Sequence, residues 1–150
     1  MTDVRRAQAG DRDALTALQQ AAYARNAELL GATPIPLQAD YAAILHDMEV
    51  WLAEDERGPA GALILQFREG DMLIWSIATH PRARGAGLGR RLLAHAERRA
   101  RDENRSTIRL YTASVYTSNI DWYARCGFAV ESRETRPDRV IVHMIKTLRP

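Results

Sequence analysis

The residues whose types and spacing have the clearest chemical meaning form a glycine-rich turn between a predicted strand and a predicted helix. The segment reads Pro81-Arg82-Ala83-Arg84-Gly85-Ala86-Gly87-Leu88-Gly89. Its alternating glycines let the backbone approach a ligand closely and adopt dihedral angles that other residues avoid. A helix that begins here presents N–H groups without internal partners, together with the positive end of its dipole. The turn therefore predicts an anion site made of backbone from Arg84 to Gly89, with a phosphate as the expected ligand.

Two arginines strengthen this interpretation. Arg90 and Arg91 fall in the first turn of the predicted helix, where the helix dipole makes each cation unfavourable by about 0.3–1 kcal/mol. A residue choice that works against local stability is typical of a functional site. A bound diphosphate would reverse the sign of the interaction, so Arg90 is a predicted phosphate contact. The alternative is a strand–helix turn whose arginines only reach solvent.

Two common nucleotide-binding patterns do not fit the turn. A P-loop needs Lys-Ser or Lys-Thr after its last glycine, and Gly89 is followed by Arg90. The dinucleotide fingerprint G-x-G-x-x-G needs a third glycine where Arg90 stands, counted from Gly85. That fingerprint also belongs to an early parallel strand–helix–strand unit, whereas this turn follows three strands joined by tight connections. A nicotinamide or flavin oxidoreductase is therefore the less favoured enzyme class.

The elements that must position the turn follow from hydrophobic periodicity. Alternating patterns predict strands at 4–7, 50–54, 62–67, 72–79, 107–111, 128–134 and 140–146. Helical spacing predicts a helix that begins after Asp11, its expected N-cap, and a second helix at Tyr41. Further helices are predicted at about 88–103 and at 118–125, where Asn119 is a candidate cap. Pro34 and Pro36 make 31–38 a loop, and Gly58-Pro59 and Glu69-Gly70-Asp71 read as turns. This order predicts an α/β fold with helices on either side of a mixed sheet.

Length and composition predict one soluble domain. The 150 residues, 46% apolar and 27% charged, suit a single domain over 1–150. No apolar run approaches the roughly 18 residues of a membrane span, and the N-terminus lacks an apolar secretory segment. Cys126 is the single cysteine, so no internal disulfide is expected and a cytoplasmic location is the simplest interpretation. No membrane partner is expected.

Charge and histidine spacing argue against two other classes. The net charge of +2 does not predict nucleic acid as a partner, although arginines between 82 and 101 leave a nucleic-acid patch as a minor alternative. His46, His95 and His143 are dispersed along the chain, and no metal site is predicted.

The turn and the residues after it resemble the GCN5-related N-acetyltransferase (GNAT) superfamily. The acetyl-CoA signature of that family is arginine or glutamine, two residues, glycine, one residue, then glycine or alanine, and Arg84, Gly87 and Gly89 match it. Further matches lie at Ile77-Ala78-Thr79, Leu110-Tyr111-Thr112, Asn119 and Tyr123-Ala124-Arg125-Cys126-Gly127-Phe128. The resemblance covers about 72–148 well and 3–67 only in element order. It implies a mostly antiparallel sheet of about six or seven strands flanked by about four helices.

The resemblance also implies a function. Members of the family transfer the acetyl group of acetyl-CoA to a primary amine by direct attack within a ternary complex, and acetyl-CoA is then the co-substrate. Cofactor contacts are implied for the backbone of Ile77, Ala78 or Thr79, for the turn from Arg84 to Arg90, and for Asn119 and Tyr123. The acceptor is expected to be a small-molecule or peptide amine. A non-catalytic acyl-CoA-binding sensor is the alternative, and both a monomer and a homodimer remain open.

The catalytic residues are assigned from the same resemblance. Tyr123 matches the tyrosine that protonates the leaving thiolate, although its ring also suits packing beside Trp122 and Phe128. Many relatives carry a glutamate on the strand before the turn, and Ile74-Trp75-Ser76 has none. The amine must lose a proton before it attacks, which costs about 4 kcal/mol for an alkylammonium at neutral pH. The strand thus does not identify the base that takes this proton. Ser76 is predicted to order a water; the other candidates are His80, Glu54, Asp55 and a carboxylate supplied with the substrate.

The acceptor is expected opposite the cofactor, between the first helical region and the last hairpin. Tyr23 and Tyr41 are the predicted substrate contacts there, with Asn26 and the loop 31–38. Glu131, Glu134 and Asp138 are expected near the other wall, where carboxylates would suit a cationic amine; ordinary surface carboxylates are the alternative.

Overall fold

The structure, a computed structural model, describes residues 3–150. Its strands are β1 (Asp3–Arg6), β2 (Glu49–Asp55), β3 (Gly58–Arg68), β4 (Asp71–Thr79), β5 (Thr107–Ala113), β6 (Ala129–Arg136) and β7 (Arg139–Thr147). Its α-helices are α1 (Arg12–Leu30), α2 (Tyr41–Asp47), α3 (Leu88–Asp102) and α4 (Thr117–Arg125). The strands form one sheet in the order β1-β2-β3-β4-β5-β7-β6, in which β4 and β5 are the parallel pair. The predicted mixed, mostly antiparallel sheet is confirmed.

The two faces of the sheet bury separate clusters of apolar side chains. Strand residues alternate between them, so Leu63 and Leu65 lie in one cluster, and Ala62 and Ile64 lie in the other. The first cluster packs against α3, whose buried stripe has helical spacing: Leu88, Leu92, Leu93, Ala96 and Ala100. The second packs against α1 and α2. The helices thus cover the two faces of the sheet, as the sequence predicts.

Two local predictions need correction. The turn between β2 and β3 lies at residues 56 and 57, where the Asp55 carboxylate accepts a hydrogen bond from the Arg57 N–H at 2.8 Å. Gly58 and Pro59, predicted as the turn, instead begin β3. Asp11 does precede α1, but its carboxylate accepts from the Gln8 N–H rather than from the helix.

A gap between β4 and β5 creates the main concavity of the molecule. The two strands pair only where Met72–Ile74 meet Ile108–Leu110. Directly after this segment the pairing of β4 with β3 shifts register, since Leu65 pairs with Ile74 and Ile64 pairs with Ser76. Trp75 is the extra residue of this bulge, which bends a strand and increases its twist. Beyond the bulge, β4 keeps β3 as its neighbour and leaves its other edge open.

Asp71 lies at the beginning of β4, next to the segment that pairs with β5. Its buried carboxylate accepts hydrogen bonds from Arg68 at 2.7 and 2.6 Å and from Arg109 of β5 at 2.9 Å. These charge-assisted bonds, chiefly those from Arg68, lower the pKa of Asp71 below its ordinary value of 3.8. The ion pairs therefore link β3, β4 and β5 where β4 and β5 are still paired.

We expect Asp71→Asn to lower the melting temperature by about 2–8 °C. The arginines are partly exposed, so the loss is about 1–2 kcal/mol, and a domain of this size shifts by about 2–4 °C per kcal/mol. Thermal unfolding measures the effect, with the exposed Asp13→Asn as the control. Because the native pKa of Asp71 is depressed, its contribution is complete above about pH 4 and is lost as the pH falls through the native value. Equal melting temperatures of both variants would contradict this role.

Candidate active site

The gap between β4 and β5 opens a cleft of about 340 Å³. This volume lies in the range of sites for small molecules and cofactors. The cleft is lined by α1, the loop at 34–36, the open edge of β4, Arg84 and Gly89 of the glycine-rich turn, β5, α4 and the beginning of β7. The segments that the sequence marks as functional thus meet at one cavity.

The glycine-rich turn has the backbone geometry of an anion site. Gly85 and Gly87 have φ angles of 83° and 79°, in the left-handed region that favours glycine. Gly87 directly precedes α3, and a first hydrogen bond of the helix runs from the Arg91 N–H to the Gly87 carbonyl at 3.2 Å. The N–H groups of residues 88–90 precede it, so no helix carbonyl is available to them. The residues of the turn fit a phosphate group.

Gly89 has different surroundings from the other two glycines. A Cβ atom at this position would lie 3.4 Å from the Trp122 side chain of α4. This is an ordinary van der Waals distance, so the first turn of α3 contacts Trp122, which lines the cleft beside it.

The arginines near the turn divide into two groups. Arg82 donates to Asp55 at 3.0 Å and to the carbonyls of Gly58 and Pro59, so its guanidinium holds the turn to the β2–β3 hairpin. Arg84 lines the cleft, and its Nη2 donates to the Ala22 carbonyl of α1 at 2.9 Å. Arg90 is exposed on the first turn of α3. Of these three side chains, that of Arg90 best suits a phosphate.

The open edge of β4 narrows the choice of backbone donors. The His80 N–H bonds the Ala60 carbonyl of β3 at 2.8 Å. Backbone N–H groups alternate in direction along a strand, so Ala78 also faces β3, while Ile77 and Thr79 face the cleft. The sequence left all three as candidates. The geometry leaves the amides of Ile77 and Thr79 for a ligand in the cleft.

Tyr123 and Asn119 reach the cleft from α4. The Tyr123 ring packs against Trp122 and Phe128, with centroids 5.0 and 5.7 Å apart, as its packing interpretation predicts, and the residue also lines the cleft. Burial raises the pKa of the Tyr123 phenol above its ordinary value, and the group is protonated at neutral pH. Asn119 lies inside α4, which begins at Thr117, and therefore does not cap that helix.

A buried polar network lies behind the β4 wall. Gln19 of α1 is fully buried, and its Nε2 donates to the Tyr41 hydroxyl and to the Ser76 hydroxyl, both at 3.1 Å. The Tyr23 hydroxyl lies 2.8 Å from that of Ser76. Tyr23 and Ser76 line the cleft. Tyr41 does not, because it is buried in the cluster beneath α1 and α2, where its hydroxyl donates to the Pro36 carbonyl.

The sequence analysis missed Gln19, although a signal was present. Leu15, Leu18 and Ala22 form the apolar face of α1, and position 19 falls on the same face at helical spacing. A glutamine on a buried stripe must find polar partners. Here they come from α2 and β4, which sequence spacing does not bring together.

The predicted acidic wall is not part of the cleft. Glu131 pairs with Arg109, Glu134 with Arg136 and His143, and Asp138 with Arg139. Among the cleft-lining residues of the described chain, 3–150, none is a carboxylate or a histidine, and the ionisable side chains are arginines and tyrosines.

The other base candidates are also engaged elsewhere. His80 accepts the Arg82 N–H at 3.1 Å, Asp55 pairs with Arg82, and Glu54 pairs with Arg5. Their side chains stabilise turns and the β1–β2 edge instead of facing the cleft.

Comparisons with known proteins bear on the fold and the family. Within residues 3–150, the helices are too short or too polar to cross a membrane. A search of curated protein sequences finds no match. The chain is similar to a PaiA N-acetyltransferase from Thermoplasma acidophilum in complex with coenzyme A, at 16% identity and TM-score 0.82, over 98% of this chain and 99% of that one.

Two further solved structures are similar over nearly the whole chain. The ribosomal-protein-S18-alanine N-acetyltransferase from Escherichia coli aligns at 17% identity and TM-score 0.81, covering 99% of this chain and 94% of that one. An IAA acetyltransferase from Bacillus cereus aligns at 18% identity and TM-score 0.74, covering 99% and 100%. The model of the acetyltransferase (GNAT) domain matches residues 46–130 of the 150. Since this match spans more than half of the sequence, the chain belongs to the GNAT acetyltransferase family.

Proposed function

We propose that this protein transfers the acetyl group of acetyl-CoA to a primary amine of a small molecule or peptide, by direct attack within a ternary complex. One observation carries the proposal: a single cleft joins the glycine-rich turn, an unpaired strand edge and a protonated tyrosine. Solved relatives of the same fold include an acetyltransferase with acetyl coenzyme A and another with coenzyme A.

The turn is the proposed site of the cofactor diphosphate. The amides at the beginning of α3 and the positive end of its dipole supply the attraction, and the exposed Arg90 in the first turn of that helix adds a positive charge. The open edge of β4 offers the alternating N–H and C=O groups that an extended pantetheine arm requires, in the manner of an added strand. Asn119 is a proposed polar contact to that arm.

Backbone and side-chain donors divide the proposed catalytic work. The N–H of Ile77 or Thr79 donates to the thioester oxygen as it gains negative charge, and a fixed donor of this kind favours the transition state over the ground state. Tyr123 donates its phenolic proton to the departing sulfur. The raised pKa of Tyr123 means that the phenol carries its proton at neutral pH.

The described residues, 3–150, contribute no carboxylate to the lining, and this limits which amine is suitable. An alkylammonium with a pKa near 10 would have to lose its proton to water before binding, at about 4 kcal/mol at pH 7. An α-amino group with a pKa near 8 costs only about 1 kcal/mol.

We assign Ser76 a positioning role, because its hydroxyl is engaged by Gln19 and Tyr23. This role replaces the water-ordering role expected from the sequence.

The same observation favours the second candidate, an acyl-CoA-binding protein without turnover. A cleft without a base in its lining binds the cofactor as well as a catalytic one does. Thiol release separates the two functions, because only the enzyme produces free coenzyme A faster when an amine is present.

We expect free thiol to be released from acetyl-CoA with at least one amine of a panel of amino-acid amides, peptides, polyamines and arylamines. Initial rates over both substrates should give intersecting lines, as a ternary complex requires, and Cys126→Ser should retain the rate because the half-buried Cys126 packs against the core. Parallel lines with an inactive Cys126→Ser would contradict direct attack. Calorimetric binding of coenzyme A without release for any amine would support the sensor.

A further inference from the structure

The buried network behind β4 has a direction that can be read from its donors and acceptors. The Tyr41 hydroxyl donates its proton to the Pro36 carbonyl at 2.5 Å, so it accepts from Gln19. This fixes the Gln19 side-chain amide with its NH₂ group toward Tyr41 and Ser76, because the reverse orientation would set two oxygens against each other. Ser76 therefore also accepts from Gln19.

The next link follows from the Ser76 hydroxyl. Ser76 is 4% exposed, and its hydrogen bonds within residues 3–150 are those with Gln19 and Tyr23. Because Gln19 donates, the Ser76 proton is satisfied only if it goes to the Tyr23 oxygen. The proton of the Tyr23 hydroxyl is then left to point into the cleft. Burial raises the pKa of Tyr23 to about 12, so this proton stays on the phenol at neutral pH.

The neighbouring cleft wall contains an arginine that is already paired. Arg139 at the beginning of β7 lines the cleft, and its guanidinium donates to Asp138 and to the Thr33 carbonyl at 3.1 Å. The Tyr116 hydroxyl lines the same region, but its proton goes to the Asn26 carbonyl at 3.2 Å. Pro34, Ile35 and Pro36 supply apolar surface around them. Within residues 3–150 no carboxylate lines the cleft, so a polycationic amine would bury its charges here without a partner, which is unfavourable.

We propose that the acceptor carries a carbonyl or carboxylate group attached to the carbon that bears its amino group, and that Tyr23, positioned by Gln19 through Ser76, donates a hydrogen bond to an oxygen of this group. This inference rests on the proposed acetyl transfer. Ser76 directly precedes Ile77, whose N–H faces the thioester side of the cleft, and the attacking nitrogen must lie about 3 Å from the thioester carbon. A group bound by Tyr23 is therefore only a few bonds from the amine.

Three related probes test the proposal: L-phenylalaninamide, L-phenylalanine and phenethylamine, which lacks the oxygen. With acetyl-CoA we expect Tyr23→Phe to lower kcat/KM about tenfold for the amide or the acid, and to change phenethylamine less than twofold. For each probe, the ratio of kcat/KM between the variant and the wild type cancels differences in amine basicity among the probes. A larger loss for the acid indicates a carboxylate ligand, and a larger loss for the amide indicates a peptide-like carbonyl; both support the proposal. Equal losses for all three probes would overturn it.

Gln19 is tested through its coupling to Tyr23. In Gln19→Leu, Ser76 loses its donor and can accept from Tyr23, which turns the tyrosine proton away from the cleft. We expect this variant to lose the preference for the oxygen-bearing probes, and Tyr23→Phe to add less than a twofold effect in the Gln19→Leu background. A full tenfold effect there would show that Gln19 does not position Tyr23. Ser76→Ala instead removes the alternative acceptor as well, so the Tyr23 proton stays in the cleft and the preference for the oxygen-bearing probes should be retained.

Two controls keep this test separate from the proposed function. Tyr116→Phe removes a cleft hydroxyl whose proton is already engaged, and should change all three probes by the same factor. If the wild-type protein releases no thiol with any probe, acetyl transfer to these amines fails, and dissociation constants measured with coenzyme A present decide the inference. Weaker binding of only the oxygen-bearing probes to Tyr23→Phe supports it; binding without preference, or no binding, overturns it.

Discussion

Gly87→Val is expected to weaken coenzyme A binding about 100-fold, with the fold retained. Gly87 holds a φ of 79° immediately before α3, and a Cβ atom there meets nothing within 4 Å, so it would project from the turn into open space. A β-branched residue disfavours this φ and moves the amides of the first helical turn, which removes charge-assisted hydrogen bonds to the diphosphate. Two such bonds account for the predicted factor at 1.4 kcal/mol per tenfold. Calorimetric titration with coenzyme A measures it.

Gly70→Val is the matched control for this prediction. Gly70 also has a left-handed φ, 87°, and open space around its Cβ position, but it lies in the β3–β4 turn away from the cleft. Both variants carry the same backbone strain of about 1–2 kcal/mol and should lose a similar amount of thermal stability. Only Gly87→Val should lose the ligand. Unchanged affinity in Gly87→Val would remove the diphosphate from this turn.

Tyr123→Phe is expected to lower kcat by about 100-fold or more while the dissociation constant of coenzyme A changes less than threefold. The substitution removes one oxygen and leaves the ring packed between Trp122 and Phe128. General acid catalysis typically contributes 10²–10⁴-fold. Single-turnover rates and separate binding measurements divide the effect between chemistry and affinity, with Tyr116→Phe as the control tyrosine in the same cleft.

The pH dependence gives a second check on Tyr123. Burial raises the pKa of this phenol above 10, its ordinary value, and a general acid loses activity only when its proton is lost. The wild-type rate should therefore show no alkaline decline from this group below about pH 10. If Tyr123→Phe retains the wild-type kcat, Tyr123 contributes packing and is not the general acid.

Much of the fold could be predicted because it is encoded locally. Tight turns between Glu49 and Thr79 give the antiparallel order β2-β3-β4, and the apolar stripe of α3 predicts its buried face. The glycine-rich turn was also predictable, since left-handed backbone at Gly85 and Gly87 needs glycine. Their φ angles agree with that requirement.

The cleft itself could not be predicted from spacing. It depends on the bulge at Trp75 and on where β4 and β5 stop pairing, and both are set by long-range register. Tyr41 has the residue type of a substrate contact, but the packing of α2 against α1 buries it. Glu131, Glu134 and Asp138 lie near the last hairpin as expected, yet nearby arginines engage them. A carboxylate's partner depends on tertiary contacts that sequence patterns do not carry.

Amide chemical shifts of the ¹⁵N-labelled protein, titrated with coenzyme A and with pantetheine, test the central claim most directly. If the turn binds the diphosphate, coenzyme A should produce the largest shifts at Gly85, Gly87, Leu88, Gly89 and Arg90. Pantetheine, which lacks the diphosphate, should leave the chemical shifts of these five amides unchanged. It should change only the shifts of amides along the open edge of β4. Saturation by coenzyme A without shifts at the turn would contradict the account.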